Sequence, residues 1–220
     1  TKVIALNNPN NPTGAIIPED MMKEIVERAG KHGAYVICDE VYRGLSHDGS
    51  YQSSIADLYD KGVGTSSMSK VFSLAGLRLG WIATRNKELM KSFESHRDYN
   101  MISCGMLDEM IAALALEHKD KLLKRNNGII NTNLEILDKW LQEHPKFSYV
   151  KPKAGTTALV YYDYDINSYD FCKGLMDHSK TFLTPGDCFE YEKSFRIGYA
   201  ASTEVLKKGL EMLEAYAKKL

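Results

Sequence analysis

The pattern of hydrophobic and polar positions predicts an alternation of strands and helices in the first part of the chain. Short apolar runs at residues 3–6, 34–38 and 79–84, together with a segment at 64–69, predict strands. Apolar residues at helical spacing over residues 18–33 predict a helix between the first two strands. Strands that alternate with helices are typical of a mostly parallel sheet, so this part is expected to have an α/β fold.

The second part of the chain begins with a helical pattern at residues 87–142. One face of its last stretch is apolar and carries Leu134, Leu137 and Leu141. Beyond it, strands are predicted at residues 147–150, 156–162, 180–183 and 195–199, with helices at 169–178 and 203–219. We therefore predict part of a large domain at residues 1–118, and an interdomain helix with a small C-terminal α+β domain at residues 119–220.

Composition excludes several classes of protein. The chain has 220 residues, with 28 Lys and Arg against 29 Asp and Glu and 44% hydrophobic residues, which is typical of a folded globular protein. It contains no long block of basic residues, so binding of nucleic acid or of an anionic membrane is not expected. The apolar runs are too short to span a bilayer, and the stripe at residues 110–116 is expected to pack in the core.

The cysteines and histidines indicate neither a disulfide framework nor a metal site. The four cysteines lie far apart without a C-x-x-C pair, which favours a cytoplasmic protein. Cys38, which ends a predicted buried strand, is expected to be a packing residue. The six histidines have no cysteine or acid at ligand spacing, so they are expected to lie singly at the surface.

Polar side chains occur at or near the carboxyl ends of the predicted strands, where open parallel sheets bind their ligands. They occupy residues 11–14, 39–42, 67–70 and Arg78. Each segment taken alone is a common turn, helix cap or loop. Together they supply an amide, a carboxylate, a phenol, an amine, two hydroxyls and a guanidinium, a set that suits a phosphorylated aromatic ligand.

The order and spacing of these segments resemble those of the class I/II aminotransferases, which are pyridoxal-phosphate-dependent enzymes of fold type I. The matching motifs are Asn-Asn-Pro-Thr-Gly at residues 10–14, Asp-Glu-Val-Tyr at 39–42, Ser-Met-Ser-Lys at 67–70, Gly-Leu-Arg-Leu-Gly at 76–80 and Phe-Arg-Ile-Gly-Tyr-Ala at 195–200. The resemblance implies part of a large three-layer α/β/α domain with a mostly parallel sheet, followed by a small C-terminal α+β domain.

The resemblance implies that four residues hold the ring of the cofactor, pyridoxal phosphate. Lys70 would form a Schiff base with the cofactor aldehyde and, once released by the substrate, would act as the general base. Asp39, as a buried carboxylate, would pair with the pyridine nitrogen. Tyr42 and Asn11 would hydrogen-bond to the phenolate oxygen of the ring, although Tyr42 taken alone could equally be a core tyrosine.

The resemblance also implies residues for the anionic groups of the cofactor and the substrate. Ser67 and Arg78 would bind the cofactor phosphate, with Ser69 as a weaker contributor. Arg196 would clamp the α-carboxylate of the substrate through two parallel N–H···O bonds, and Asn11 would also reach that carboxylate. An unpaired arginine on a strand is costly, which favours a functional partner for Arg196.

The implied reaction is ping-pong transfer of an amino group between an amino acid and a 2-oxo acid, carried out by a homodimer. Two alternatives stay open. One keeps the cofactor and the lysine but breaks another bond, as in a pyridoxal-phosphate-dependent C–S β-lyase or a racemase. The other is a catalytically incompetent fragment or a binding module that acts through a partner.

The start of the chain adds an expectation about its length. The chain begins at Thr1 without an initiator methionine and continues at once into a predicted buried strand. The resemblance implies that a complete enzyme has earlier strands, a phosphate-binding loop and an aromatic residue that stacks on the cofactor ring. The sequence is therefore expected to be the C-terminal portion of such an enzyme.

Overall fold

The computed structural model describes all 220 residues, which form two compact units. Unit 1 contains residues 1–10 and 15–126, and unit 2 contains residues 11–14 and 127–220. The predicted domain boundary after residue 118 lies at the start of a long helix, α5 (Lys119–Glu143), whereas the division between the units falls inside this helix.

A four-stranded sheet organises unit 1. It contains β1 (Val3–Asn7), β2 (Tyr35–Asp39), β3 (Gly62–Ser67) and β4 (Gly80–Ala83), in the order β1-β2-β3-β4. The first three strands are parallel, which confirms the prediction of a mostly parallel sheet, and β4 runs antiparallel to β3. The reversal follows from the connection between β3 and β4, which holds only a short 3-10 helix at Ala75–Leu77 instead of a crossover helix.

Four helices accompany this sheet: α1 (Glu19–Lys31), α2 (Ile55–Leu58), α3 (Lys87–Asn100) and α4 (Met106–Glu117). Helix α1 begins with acidic side chains and ends with basic ones, as the helix dipole favours. Its apolar side contributes to a core cluster formed by Met22, Ala29, Ala34, Val36, Cys38 and Ile55. The burial of Cys38 confirms its predicted packing role.

The prediction that residues 110–116 pack in the core is wrong for most of the stripe. Only Ala112 and Ala115 are buried, whereas Met110 is 63% exposed and Leu114 is 56% exposed. Helix α4 carries apolar side chains on several sides, so periodicity predicts the helix but not which face another element covers. In this chain the larger side chains of the stripe remain in contact with solvent.

Unit 2 is built on an antiparallel sheet, which agrees with the predicted α+β class. Its strands are β5 (Phe147–Tyr149), β6 (Thr157–Tyr162), β7 (Thr184–Pro185) and β8 (Ser194–Gly198), in the order β5-β6-β8-β7. Two helices accompany this sheet, α6 (Ser168–Ser179) and α7 (Thr203–Ala217).

The strand predicted at residues 180–183 is wrong, and the chain joins the sheet only at Thr184. Lys180 has a left-handed backbone, with φ of 58°, and its N–H donates to the carbonyl of Met176. This conformation ends α6 and turns the chain away from an extended path. The apolar residues that follow therefore lie outside the sheet, and Phe182 is 72% exposed.

Aromatic rings and leucines form the core of unit 2. Phe171 on α6 stacks on Tyr162, with 4.3 Å between ring centroids, and on Phe195, with 5.6 Å. The three leucines predicted to share one face of α5 are all buried, which confirms that prediction. Helix α5 is the longest in the chain, and neither it nor any other helix has the length and apolar character needed to cross a membrane.

A buried asparagine ties α5 to the segment between β8 and α7. The Nδ2 group of Asn133 donates to the carbonyl oxygens of Tyr199 and Ala201 at 2.9 and 2.8 Å. Its Oδ1 atom accepts from the hydroxyl of Thr203 at 2.7 Å. Because the side chain of Asn133 is fully buried, water cannot reach it, and its hydrogen bonds all go to groups of the protein.

We expect Asn133→Ala to lower the free energy of unfolding by about 2 kcal/mol, because it leaves two carbonyl groups and a hydroxyl without their partner. Chemical denaturation of the parent and the variant measures the difference. Thr132→Ala, an exposed change on the same helix, is the matched control and should alter stability by less than about 0.5 kcal/mol. Equal stability of Asn133→Ala and the parent would contradict the role given to this side chain.

We expect the cysteines to react with iodoacetamide in the order of their exposure. Burial raises the pKa of the Cys38 thiol to about 12, and that of Cys172 to about 12 as well, so both remain protonated and unreactive at neutral pH. Cys188 is exposed and should be labelled first. Peptide mapping by mass spectrometry after labelling of the native protein measures the order. Rapid labelling of Cys38 would show that its strand is not packed as described.

Candidate active site

The carboxyl ends of the three parallel strands bring the first group of predicted site residues together. The register pairs Asn7 of β1 with Asp39 of β2, and Asp39 with Thr65 of β3. The backbone N–H of Asn8 and the side-chain amide of Asn7 both donate to the Asp39 carbonyl, at 3.0 and 3.1 Å. The backbone of Asp39 is thus fixed at the edge of the sheet where open α/β proteins bind their ligands.

The carboxylate of Asp39 is exposed, so the expectation of a buried carboxylate is wrong for this chain. The side chain projects from the open end of the strand, where the chain turns away. One oxygen, Oδ1, accepts from the backbone N–H of Val41 at 3.1 Å and shapes the turn that follows β2. The other oxygen has no hydrogen-bond partner in the chain and can accept a bond from a ligand.

Glu40, the next residue, is buried and serves the structure. Its Oε1 atom accepts from the N–H of Ile55 at 2.7 Å and from the hydroxyl of Ser54 at 3.0 Å. Its Oε2 atom pairs with the guanidinium of Arg43 at 3.0 Å. Successive residues of an extended chain point to opposite sides, so the two adjacent acids have different surroundings. Glu40 fastens the start of α2, and Asp39 is the acid that keeps a free oxygen.

Tyr42 lies in the turn after β2 and is 4% exposed, as a core tyrosine would be. Its hydroxyl nevertheless makes no hydrogen bond within the chain, although buried tyrosine hydroxyls usually have a partner. The ring of Tyr42 therefore packs in the core, and its hydroxyl, three residues after Asp39, remains able to bond to a ligand.

The turn between β3 and β4 carries the second group of predicted residues. Ser67 ends β3 and faces Gly80 across the sheet. The N–H of Met68 donates to the carbonyl of Leu79 at 3.0 Å, which extends the pairing by one step. This antiparallel pairing brings Arg78 back beside the end of β3. The short connection thus gathers residues from both sides of the turn at one end of the sheet.

The hydroxyl and guanidinium groups of this turn are only partly engaged by the chain. The Oγ atom of Ser67 accepts from the N–H of Ser69 at 3.3 Å, which leaves the hydroxyl proton available. Arg78 is exposed, has a left-handed backbone and donates from Nη1 to the carbonyl of Ala75 at 2.8 Å. Its other N–H donors are unspent, so the serine and the arginine can both donate to an anion.

Lys70 is exposed and forms neither an ion pair nor a side-chain hydrogen bond. Its backbone carbonyl accepts from the N–H of Ser73 at 3.1 Å, so the turn fixes the main chain while the amine stays free. Exposure alone does not separate this lysine from an ordinary surface lysine. Its place in the chain does, because Ser67, Ser69 and Arg78 of the same turn offer donors for an anion.

The loop that contains Asn11 belongs to unit 2, where it meets the segment before β6. The carbonyl of Gly14 accepts from the N–H groups of Lys153 and Ala154 at 2.9 and 3.0 Å. Gly14 has φ of 67°, and a Cβ atom at this position would collide with Pro152. Glycine therefore permits the close approach that brings Asn11 to the antiparallel sheet.

Arg196 on β8 is half-buried and uses two of its N–H groups within the chain. Nη1 donates to the side-chain oxygen of Asn11 at 3.2 Å, and Nη2 donates to the hydroxyl of Thr184 at 3.1 Å. The guanidinium lies over the ring of Phe189, 5.0 Å from its centroid. No carboxylate of the chain pairs with it. The structure therefore brings Asn11 and Arg196 together and leaves the positive charge without a counter-ion.

Two of these partners, Thr184 and Phe189, are absent from the residues that sequence reasoning identifies. The strand predicted at residues 180–183 stops one residue short of Thr184, so the pattern does not place it opposite Arg196. Phe189 ends a short 3-10 helix, Gly186–Phe189, whose approach to the arginine has no periodic signal in the sequence. A strand prediction extended by one residue would have found the threonine.

Two of the six histidines depart from the predicted surface position. His47 and His144 are half-buried, and the ring of His144 stacks on Trp140 with 4.1 Å between centroids. The other four are exposed. No three histidine, cysteine or acidic side chains of the chain group as metal ligands would.

Known proteins resemble this chain over nearly its whole length. A PLP-dependent aminotransferase from Streptococcus suis 89-1591 has a crystal structure that matches with a TM-score of 0.95 and 41% sequence identity, over 100% of this chain and 58% of that chain. The aspartate aminotransferase of Bacillus subtilis (strain 168) is 26% identical, over 100% of this chain and 58% of that protein. Capreomycidine synthase of Streptomyces vinaceus is 26% identical, over 96% of this chain and 54% of that protein.

This chain therefore spans little more than half the length of these relatives. The structural similarity confirms the predicted fold class, that of the fold type I aminotransferases. The family described as aminotransferase class I and II matches residues 1–213. Because this match covers almost the entire chain and the fold agrees with it, the protein belongs to the class I and II aminotransferase family.

Proposed function

We propose that this protein is a pyridoxal-phosphate-dependent aminotransferase that moves an amino group between an amino acid and a 2-oxo acid by a ping-pong mechanism. Membership of the family supports the reaction class. The observation that carries the proposal for this chain is the free amine of Lys70, in a turn that also presents hydroxyl and guanidinium donors. A primary amine and anion donors are what an aldehyde cofactor with a phosphate group requires.

The residues present fit pyridoxal phosphate by their hydrogen-bonding chemistry. Asp39 has a free carboxylate oxygen that can accept from a protonated pyridine nitrogen, and Tyr42 has an unpartnered hydroxyl for the ring oxygen. Ser67 and Arg78 have unspent donors for the phosphate, with Ser69 beside them. These residues are therefore the ones proposed to hold the cofactor.

When bound, the cofactor supplies an electron sink for the bonds at the α-carbon of the amino acid. Lys70 would supply the primary amine that bonds the cofactor aldehyde, and the same amine, when free, would act as the general base for the proton on the α-carbon. Asp39 would accept from the pyridine nitrogen and keep it protonated, and Tyr42 would donate to the ring oxygen, a contact that the family resemblance also implies for Asn11.

Arg196 is proposed to bind the α-carboxylate, which the amino acid and the 2-oxo acid share. Its guanidinium has five N–H donors, of which two go to neutral acceptors in the chain and three remain. Neither Asn11 nor Thr184 carries a charge, so the positive charge of the guanidinium is available to the substrate. This arrangement selects for an α-carboxylate and leaves the amino acid side chain unspecified.

A second candidate function uses the same cofactor for another reaction. It is favoured by the similarity of this chain to capreomycidine synthase, which at 26% identity equals its similarity to the aspartate aminotransferase. The site residues bind an amine and a carboxylate, but they do not by themselves select which bond at the α-carbon breaks. Release of pyruvate and ammonia from cystathionine without a 2-oxo acid would favour a C–S β-lyase over amino transfer.

We also propose that the protein is a cytoplasmic homodimer. All four cysteines are unpaired, which supports a reducing compartment. Tyr99 and Ile102 are 91% and 74% exposed, and the family resemblance implies that this segment lies close to the site of the partner subunit. Sedimentation velocity of the full-length protein measures the oligomeric state, and a monomer at all concentrations would contradict the proposal.

We expect Lys70→Ala to lose both covalent cofactor binding and amino transfer, because no other group supplies the amine that bonds the aldehyde. Borohydride reduction of the full-length protein with pyridoxal phosphate, followed by peptide mapping, should place the label on Lys70 of the parent. Lys91→Ala, which removes another exposed lysine, is the matched control and should keep both label and transfer. Turnover of Lys70→Ala at the parent rate would refute the mechanism.

We expect Arg196→Lys to lower kcat/KM for the amino acid by about 10- to 100-fold, because lysine keeps the charge but loses the two parallel N–H bonds. Cofactor binding, measured by visible absorbance, should not change, since the proposed contact is to the substrate alone. Steady-state kinetics with both substrates measures the effect. If kcat/KM stays at the parent value, Arg196 does not bind the carboxylate.

A further inference from the structure

We propose that Thr184 is a positioning residue for the guanidinium of Arg196, and that its hydroxyl fixes the plane in which the arginine meets a carboxylate. This inference rests on the proposed function of Arg196 as the substrate carboxylate receptor. Thr184 lies outside all the motifs through which the chain resembles its family. The ligand class that it would help Arg196 to recognise is an α-carboxylate.

The sheet register places Thr184 directly opposite Arg196. Strands β7 and β8 are antiparallel, and their Cα partners are Thr184 with Arg196 and Pro185 with Phe195. On the other side of β8, Leu159 of β6 is the partner of Arg196. Side chains of directly opposite residues lie on the same face, with Cβ atoms roughly 5 Å apart. The backbone alone therefore brings the threonine within reach of the arginine.

The contacts around the guanidinium restrain it in two ways. The Oγ1 atom of Thr184 accepts from Nη2 at 3.1 Å, and the Oδ1 atom of Asn11 accepts from Nη1 at 3.2 Å. One acceptor on each terminal nitrogen restricts rotation of the group within its plane. The ring of Phe189, with its centroid 5.0 Å from the guanidinium carbon, restricts movement of the group on that side.

The acceptors around Arg196 orient its guanidinium without neutralising its charge. A structural aspartate or glutamate would take two N–H donors at once and cancel the charge. Thr184 accepts a single bond and carries no charge, so the arginine is oriented while its charge and three N–H donors remain for a ligand. A β-branched side chain also has a restricted χ1 angle, which keeps the oxygen in place.

If the role of Thr184 were purely structural, its hydroxyl would bond to other parts of the fold and not only to Arg196. The hydroxyl has one hydrogen bond in the chain, the bond from Arg196, and therefore contributes to no other element. β7 has only two residues, and its second residue is a proline. Valine has the shape of threonine without the hydroxyl, so Thr184→Val removes the acceptor and leaves the packing of the side chain nearly unchanged.

The kinetic test compares variants of the full-length protein loaded with pyridoxal phosphate. We expect Thr184→Val to raise KM for the amino acid about tenfold with little change in kcat, because the lost bond orients a group that binds ground state and transition state alike. Thr184→Ser restores the hydroxyl and should return KM to within about twofold of the parent. Thr181→Val is the matched control, since that hydroxyl bonds only to Ser179.

A second test needs no catalysis. Phenylglyoxal modifies arginines that are accessible to it, and mass spectrometry measures the rate of modification at the half-buried Arg196 in the presence and absence of acetate as a carboxylate probe. Acetate should protect Arg196 in the parent and in Thr184→Ser, and protect it several-fold less in Thr184→Val. A near-identical melting temperature of parent and Thr184→Val confirms that the difference is not due to unfolding.

The outcomes separate this inference from the proposed function. If the parent transfers amino groups but Thr184→Val equals it in KM and in protection by acetate, the positioning role is wrong and the proposed function stands. If the parent shows no transfer, while acetate protects Arg196 in a manner that depends on Thr184, the proposed function is wrong and the positioning role stands. Absence of protection in the parent would overturn the inference, because Arg196 would then not bind a carboxylate.

Discussion

Hydrogen bonding between three parallel strands is the constraint on which the rest of unit 1 depends. It aligns the ends of β1, β2 and β3, so Asn7 and Asp39 become neighbours although they are 32 positions apart in the chain. The strand end also gives two adjacent acids different roles. Glu40 is buried and holds the start of α2, and Asp39 keeps a free oxygen at the open edge. The chemistry proposed for this unit thus follows from where its strands stop.

In unit 2 the corresponding constraint is the antiparallel register around β8. It sets Thr184 opposite Arg196, and a glycine-dependent turn brings in Asn11 from 185 positions away. The guanidinium is held by neutral oxygen atoms and an aromatic ring, so its position is restricted while its charge remains uncompensated. A receptor for a carboxylate needs this combination, because an internal carboxylate would occupy the same donors.

The predictions that are wrong concern which face of a helix is covered, where a strand begins and which acid is buried. Periodicity predicts helix α4, but the exposure of Met110 depends on which other element covers that face, and such contacts leave no periodic pattern. The apolar run at residues 180–183 suits a strand, yet the left-handed backbone of Lys180 ends α6 and delays entry into the sheet. The family resemblance implies a buried Asp39, whereas the burial of a side chain depends on which other segments cover it, and Asp39 is exposed.

The sequence by itself determined most of the strands and helices, the mostly parallel character of the first sheet and, through five spaced motifs, the family to which the chain belongs. These are properties of local periodicity and of residue types at fixed spacing. Only the tertiary structure decided that β4 runs antiparallel, that Glu40 and not Asp39 is buried, and that Thr184 faces Arg196. The physical reason is that register depends on hydrogen bonds between segments far apart in the chain, and the pattern within either segment does not specify its partner.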